Sequence, residues 1–202
     1  MTNDDLISRV QRLYVAIGAT EETDISKFTP TAISDGSRVG FYQDWSGGRS
    51  DAELANTANT LISNIANLKD VLKKWCVRNG KDKTEVDNAF KNSQALRIIK
   101  DLSNNDRHGY DPKKAGNSGK SPRVDRITSI MRMTTKPEKG SFVNLTLNRQ
   151  GVPQIAGSGT ARVIITGDIL DGAGNKIGDL YETALEAVKI WESVLGDLGV
   201  KS

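Results

Sequence analysis

The 202 residues contain one cysteine and one histidine, and these two scarcities exclude a good deal of chemistry. A lone thiol, Cys76, has no internal disulfide partner, and beside Trp75 in a helical apolar pattern it reads as a small buried hydrophobe. Cys76 and His108 are far apart in sequence, so zinc-ligand spacing is missing, as is a G-x-S-x-G nucleophile elbow. No metal and no cofactor are expected. Long apolar runs are missing as well: none approaches the roughly 18 residues of a membrane span. Met1-Thr-Asn-Asp-Asp lacks the positive start and apolar middle of a signal peptide, so a cytoplasmic protein without membrane contact is expected. A hydrophobic fraction of 37% and a charged fraction of 26% fit a soluble globular chain rather than a disordered one. The length suits one domain over 1–202, with a helical lobe at 1–110, a loop at 111–122, and a sheet with a final helix at 123–202.

The net charge of +3 hides an asymmetry. Between Arg97 and Lys139 eleven Lys and Arg stand against five acids, so the window carries +6 and the remainder −3. A basic concentration of this kind suits a phosphate-bearing ligand, a nucleic acid or an acidic protein partner.

Asn3 or Asp4 is placed to cap a first helix carrying Leu6, Val10, Leu13 and Ile17, which Gly18 ends. Residues 20–48 read as a loop with at most a hairpin after the Asp35-Gly36 turn, anchored on the core by Phe41, Tyr42 and Trp45. Ser50-Asp-Ala-Glu53 is a capping box that opens a long helix with Leu54, Ala58, Leu61, Ile65, Leu68, Leu72 and Trp75 on one face, ending near Gly80. Asn64 and Asn67 fall near that face and need partners. A third helix, capped by Thr84, carries Val86, Phe90, Leu96, Ile99 and Leu102 and ends at Gly109. The short connection makes an antiparallel helical hairpin. From Arg123 the apolar period changes to two, and the turns at Gly140, Gln150-Gly151 and Asp171–Asn175 predict an antiparallel β-meander. Asp179 then opens a last helix that covers the sheet or closes the bundle. The fold expected is α+β: a helical bundle with a long antiparallel hairpin, then the meander and its covering helix.

Two motif-like stretches fail on context. Ala115-Gly-Asn-Ser-Gly-Lys-Ser121 has the tail of a phosphate loop, yet no strand precedes it and Pro122 with a strand follows where a helix is required. Asp168–Asn175 lacks calcium-loop spacing and reads as a turn. The densest polar chemistry is at the end of the third helix, Asp101-Leu-Ser-Asn-Asn-Asp-Arg-His-Gly109. The binding residues expected are Asn104, Asn105, Arg107, His108, Lys120 and Arg123. His108 as general base with Arg107 stabilising charge would be a metal-free route to RNA cleavage. Cations in the last helical turn also simply complement the helix dipole, and His108 would then hydrogen-bond into the first half of the long helix, at Asn64 or up to two turns earlier.

Two long antiparallel helices ending in Asn-Asn-Asp-Arg-His-Gly resemble the HEPN-type helical domains, many of them ribonucleases, whose motif spaces Arg and His by four to six residues. Arg97 stands eleven residues before His108 and Arg107 is adjacent, so the catalytic spacing departs from that family. Ser46-Gly-Gly-Arg-Ser-Asp, the Asp101–Gly109 stretch, Ser118-Gly-Lys-Ser-Pro-Arg and Gly178-Asp-Leu-Tyr are similar to segments of uncharacterised bacterial proteins that join a helical hairpin to a small β-sheet. The function expected is non-catalytic binding or regulation through a basic face. An HEPN-like metal-independent ribonuclease or a nucleotide-binding protein using Arg107 and His108 is the alternative.

Overall fold

The computed structural model describes residues 3–34, 36–109 and 116–200, with side chains from residue 5 onwards. The elements in chain order are α1 (Asn3–Ala19), β1 (Glu21–Glu22), β2 (Thr31–Ser34), β3 (Val39–Tyr42), α2 (Asp51–Arg78), α3 (Thr84–Asn92), α4 (Gln94–His108), β4 (Arg123–Thr134), β5 (Val143–Leu147), β6 (Pro153–Gly157), β7 (Thr160–Leu170), β8 (Lys176–Asp179) and α5 (Leu180–Asp197). Helices dominate the first half and antiparallel strands the second, with a final helix, so the chain is an α+β protein. The caps expected from Asn3 or Asp4, and the Asp35 half of the first turn, fall outside the described side chains.

The chain divides into two compact units. The first comprises Met1–Thr20, Ala55–Ile127 and Thr166–Ser202. Within it the apolar stripe of α2 supplies the buried Leu61, Ile65, Leu72 and Trp75. At 28 residues and about 1.5 Å rise each, α2 is on the order of 40 Å long. It runs antiparallel to α3 and α4, as the ladder of links from Lys73–Asp87 (2.9 Å) through Asp70–Lys100 (3.3 Å) to Asn59–Asp106 (3.0 Å) records. Lys69 lies 3.4 Å over the Phe90 ring, and burial there lowers its pKa. The α5 helix joins this bundle: Trp191 is 1% exposed, and its indole N–H donates to the Ile65 carbonyl at 3.2 Å. Cys76 is buried, and burial pushes its thiol pKa up, which suits the inert reading.

One helix was expected over 84–109 where two are found. Ser93 adopts an extended conformation (φ −98, ψ 119) that ends α3, and its hydroxyl accepts the Leu96 N–H to cap α4. The apolar repeat continues through the break because both segments bury the same side. Thr84 is not the cap of α3. Lys83 takes that position without a side-chain bond, and Asp82 accepts the Thr84 N–H and hydroxyl instead.

The strands do not form a simple meander. β7 is central to a four-stranded sheet, with β4 beside it, β1 paired at Val163–Ile164 and β8 paired at Asp168–Leu170. The pairs β2–β3 and β5–β6 are separate two-stranded ribbons. A Cβ on Gly159 would meet the Thr134 carbonyl oxygen at 2.5 Å and one on Gly167 the Asp125 carbonyl oxygen at 3.1 Å, so β4 and β7 run in opposite directions at very close approach. α5 follows β8 directly. Asp179 accepts the Glu182 N–H as its cap and the Thr166 hydroxyl of β7, which ties the start of the helix to the sheet.

The second unit comprises Glu21–Leu54 and Thr128–Ile165. Its aromatic anchor is Phe28 against Trp45, with ring centroids 5.7 Å apart. Phe41 and Tyr42 were expected to be anchors too, yet they are 67% and 60% exposed. Both faces of the β2–β3 ribbon are open, so neither residue has a core to enter. The Ser50–Glu53 capping box is formed: Ser50 Oγ accepts the Glu53 N–H at 3.3 Å and Glu53 accepts the Ser50 N–H at 2.8 Å.

Candidate functional site

The end of α4 and the segment 116–126 belong to the first unit and are joined by side chains on one face of the helix. Gln94, Asp101 and Asn105 recur at seven- and four-residue spacing and so lie along one stripe. Gln94 Nε2 donates to the Ser118 carbonyl at 3.1 Å, and Asn105 Nδ2 donates to the Pro122 carbonyl at 2.6 Å. Between them Asp101, 1% exposed, accepts the backbone N–H of Asn117 (2.8 Å) and of Ser118 (2.7 Å), and the Asn117 side-chain amide (2.7 Å). Three charge-assisted bonds are what a carboxylate needs to be tolerated inside a protein.

This contact explains the phosphate-loop likeness. Gly116 has φ +65, and a Cβ there would sit 2.6 Å from the Asp101 carboxylate, so only glycine lets the chain close on it. Two successive backbone N–H groups that could hold a phosphate oxygen converge on the protein's own carboxylate instead. A further bond, Gly172 N–H to the Lys120 carbonyl at 2.9 Å, fastens the segment to the β7–β8 turn. That turn is organised by Asp171, which accepts the N–H groups of Ala173 and Asn175 and has its pKa lowered by the Asn175 backbone bond first of all. No group of three or more metal-ligating side chains exists among the described residues.

Of the residues singled out from sequence, Asn105 is part of the clamp, and its Oδ1 is buried without a partner among the described residues. Asn104 is half-buried on the same turns. Arg107 and His108 occupy the last turn of α4 and are exposed, and Gly109 caps the helix in the left-handed conformation (φ 56, ψ 65). The link expected from His108 to α2 is made by its neighbours. Arg107 Nη2 donates to Asn67 Oδ1 at 3.1 Å, and Asp106 accepts from Asn59, which leaves the histidine ring facing outward. Lys120 and Arg123 are exposed and make no ion pair among the described residues. The Arg126 side chain is 92% exposed and lies only 3.8 Å from the neighbouring Asp125 carboxylate. Lys113 and Lys114, the other cations of this segment, lie outside the described residues.

Sequence reasoning has Asp101 tying exposed backbone groups at the helix end, but it missed which groups those are, and it missed Gln94 and Asn117 altogether. The available signal was an acid four residues before Asn105, on the helix face away from the apolar repeat. Also unforeseen is the backbone: Ser121 (φ 47) and Arg126 (φ 43) are the only non-glycine residues with positive φ among those described. No protein-family model matches this chain, and neither the curated proteins nor the solved structures searched contain a match.

Proposed function

We propose that this protein is a non-catalytic binding or regulatory module whose α4 end and 116–126 segment present Arg107, His108, Lys120, Arg123 and Arg126 to an anionic partner, a nucleic acid or another phosphate-bearing ligand. The observation that carries the reading is the pair of left-handed residues, Ser121 and Arg126, on either side of Arg123. Each such non-glycine conformation costs roughly 1–3 kcal/mol and persists where the surroundings impose it, commonly at functional sites. Here both fall within the seven residues 120–126, which also hold the three cations Lys120, Arg123 and Arg126, on a segment pinned by a buried carboxylate. Cations on a fixed platform lose less conformational freedom on binding than cations on a loose loop.

Fluorescence anisotropy with a labelled 20-nucleotide RNA and the matching DNA duplex, from 50 to 200 mM salt, tests this. Affinity is expected to fall with salt at a logarithmic slope of roughly 0.7–0.9 per phosphate contact, and Lys120→Ala with Arg123→Ala should reduce that slope by about two contacts. No binding at low salt, or binding indifferent to both substitutions, would overturn the reading.

Solvent access to the His108 ring beside Arg107 supports the second reading, an HEPN-like metal-independent ribonuclease or a nucleotide-binding site. The same RNA incubated with chelator decides: cleavage that disappears in His108→Ala replaces the binding function by catalysis, and intact RNA removes the ribonuclease.

A further inference from the structure

Away from the basic surface, the seam between α1 and α5 holds a pocket of about 180 Å³ lined by Ile7, Val10, Gln11, Tyr14, Leu195 and Val200. Val10 and Leu195 at its floor are buried, at 5% and 7% exposure, and none of the six lining residues is charged. A cavity of about 150 Å³ accepts benzene, so this one has room for a single ring or about six carbons. The Tyr14 hydroxyl donates to Glu192 Oε1 at 2.5 Å, which sets a carboxylate one hydrogen bond from the pocket wall. Glu192 has no other hydrogen bond or ion pair among the described residues, and a carboxylate accepts up to about four. An apolar chamber with a carboxylate one hydrogen bond beyond its wall suits a particular shape of ligand: a hydrophobic body ending in a cation.

We infer that this pocket binds a small primary amine, with one aromatic ring or a short alkyl chain filling the α1–α5 seam and the ammonium meeting the Glu192 carboxylate that Tyr14 holds. The Tyr14 phenol registers this contact. Its hydrogen bond to Glu192, with burial and the carboxylate charge adding to it, raises its pKa to about 12.

The probes are phenethylamine, ethylbenzene and phenylacetate, titrated against the full chain by protein NMR at neutral pH. Phenethylamine is expected to bind on the order of tenfold more tightly than ethylbenzene, as one charge-assisted hydrogen bond provides, and phenylacetate more weakly than either. Glu192→Gln should bring phenethylamine and ethylbenzene to similar affinities, and Ile7→Trp, which fills the pocket from a half-buried wall, should abolish both. Equal affinity for the amine and the hydrocarbon, binding that survives in folded Ile7→Trp, or no saturable shift with any probe would overturn the assignment.

Discussion

Asp101 is the single side chain on which the 116–122 segment depends. Replacing it by Ala leaves the N–H groups of Asn117 and Ser118 without their acceptor, and an unsatisfied buried donor costs about 1–3 kcal/mol. We expect Asp101→Ala to lose about 2–3 kcal/mol, read as a lower urea midpoint with an unchanged slope. Gly116→Ala should fail in a related way, because its Cβ would strike the same carboxylate from a left-handed backbone. Either variant with wild-type stability would show that the clamp contributes nothing. An acid sixteen and seventeen residues from the donors it accepts from has no periodic or motif signature, which is why the backbone donors of this segment were legible in sequence only as a failed phosphate loop.

Individual elements divide into those whose ends are written locally and those settled by tertiary contact. Ser50–Glu53 and Asp179–Glu182 were both legible as caps because every atom involved lies within four residues. The Ser93 break was not, since its cause is one residue's backbone inside an uninterrupted apolar repeat. Phe41 and Tyr42 were misread because composition shows that a side chain is large and apolar without showing that a core exists to receive it. Ser50→Ala is expected to cost about 1 kcal/mol, the usual worth of an N-cap, measured by chemical denaturation.

The same local carboxylates set the acid response. Glu53 is held below its ordinary 4.5 by the Ser50 N–H first, Asp44 below 3.8 by the Ser46 N–H, and Asp82 below 3.8 by the Thr84 hydroxyl. A lowered folded-state pKa means the stabilisation is complete above the unfolded value and is lost as pH falls through the folded one. The melting temperature should therefore be level from about pH 7 to 5 and fall below about pH 4.5. A decline that begins at pH 6 would contradict this.

At the scale of the whole molecule, the two units differ in how well they are covered. Among the described residues, eight of the eleven large apolar side chains left exposed belong to Glu21–Leu54 and Thr128–Ile165: Ile33, Val39, Phe41, Tyr42, Ile130, Met133, Phe142 and Leu147. The fully buried large residues fall mainly in the other unit, among them Leu6, Ile65, Leu72, Ile99 and Trp191. Opening free energies should follow that contrast, because regions with few buried apolar contacts exchange their amide hydrogens first. Native-state exchange is expected to leave α2, α4 and the middle of α5 protected longest and to release the β2–β3 ribbon earliest, since a two-stranded ribbon is marginal in water. Equal protection across both units would contradict this.

The carboxylate under Gly116 also bears on competition. A ligand group fixed to the same chain acts at an effective concentration, and even a loose short tether supplies the millimolar range. Asp101 is held more firmly than any such tether, packed in a helix whose neighbouring residues fix its position. Free phosphate at cellular concentration meets a rival that never diffuses away, so the backbone donors of Asn117 and Ser118 remain committed, and any anion the surface recruits is recognised by side chains alone.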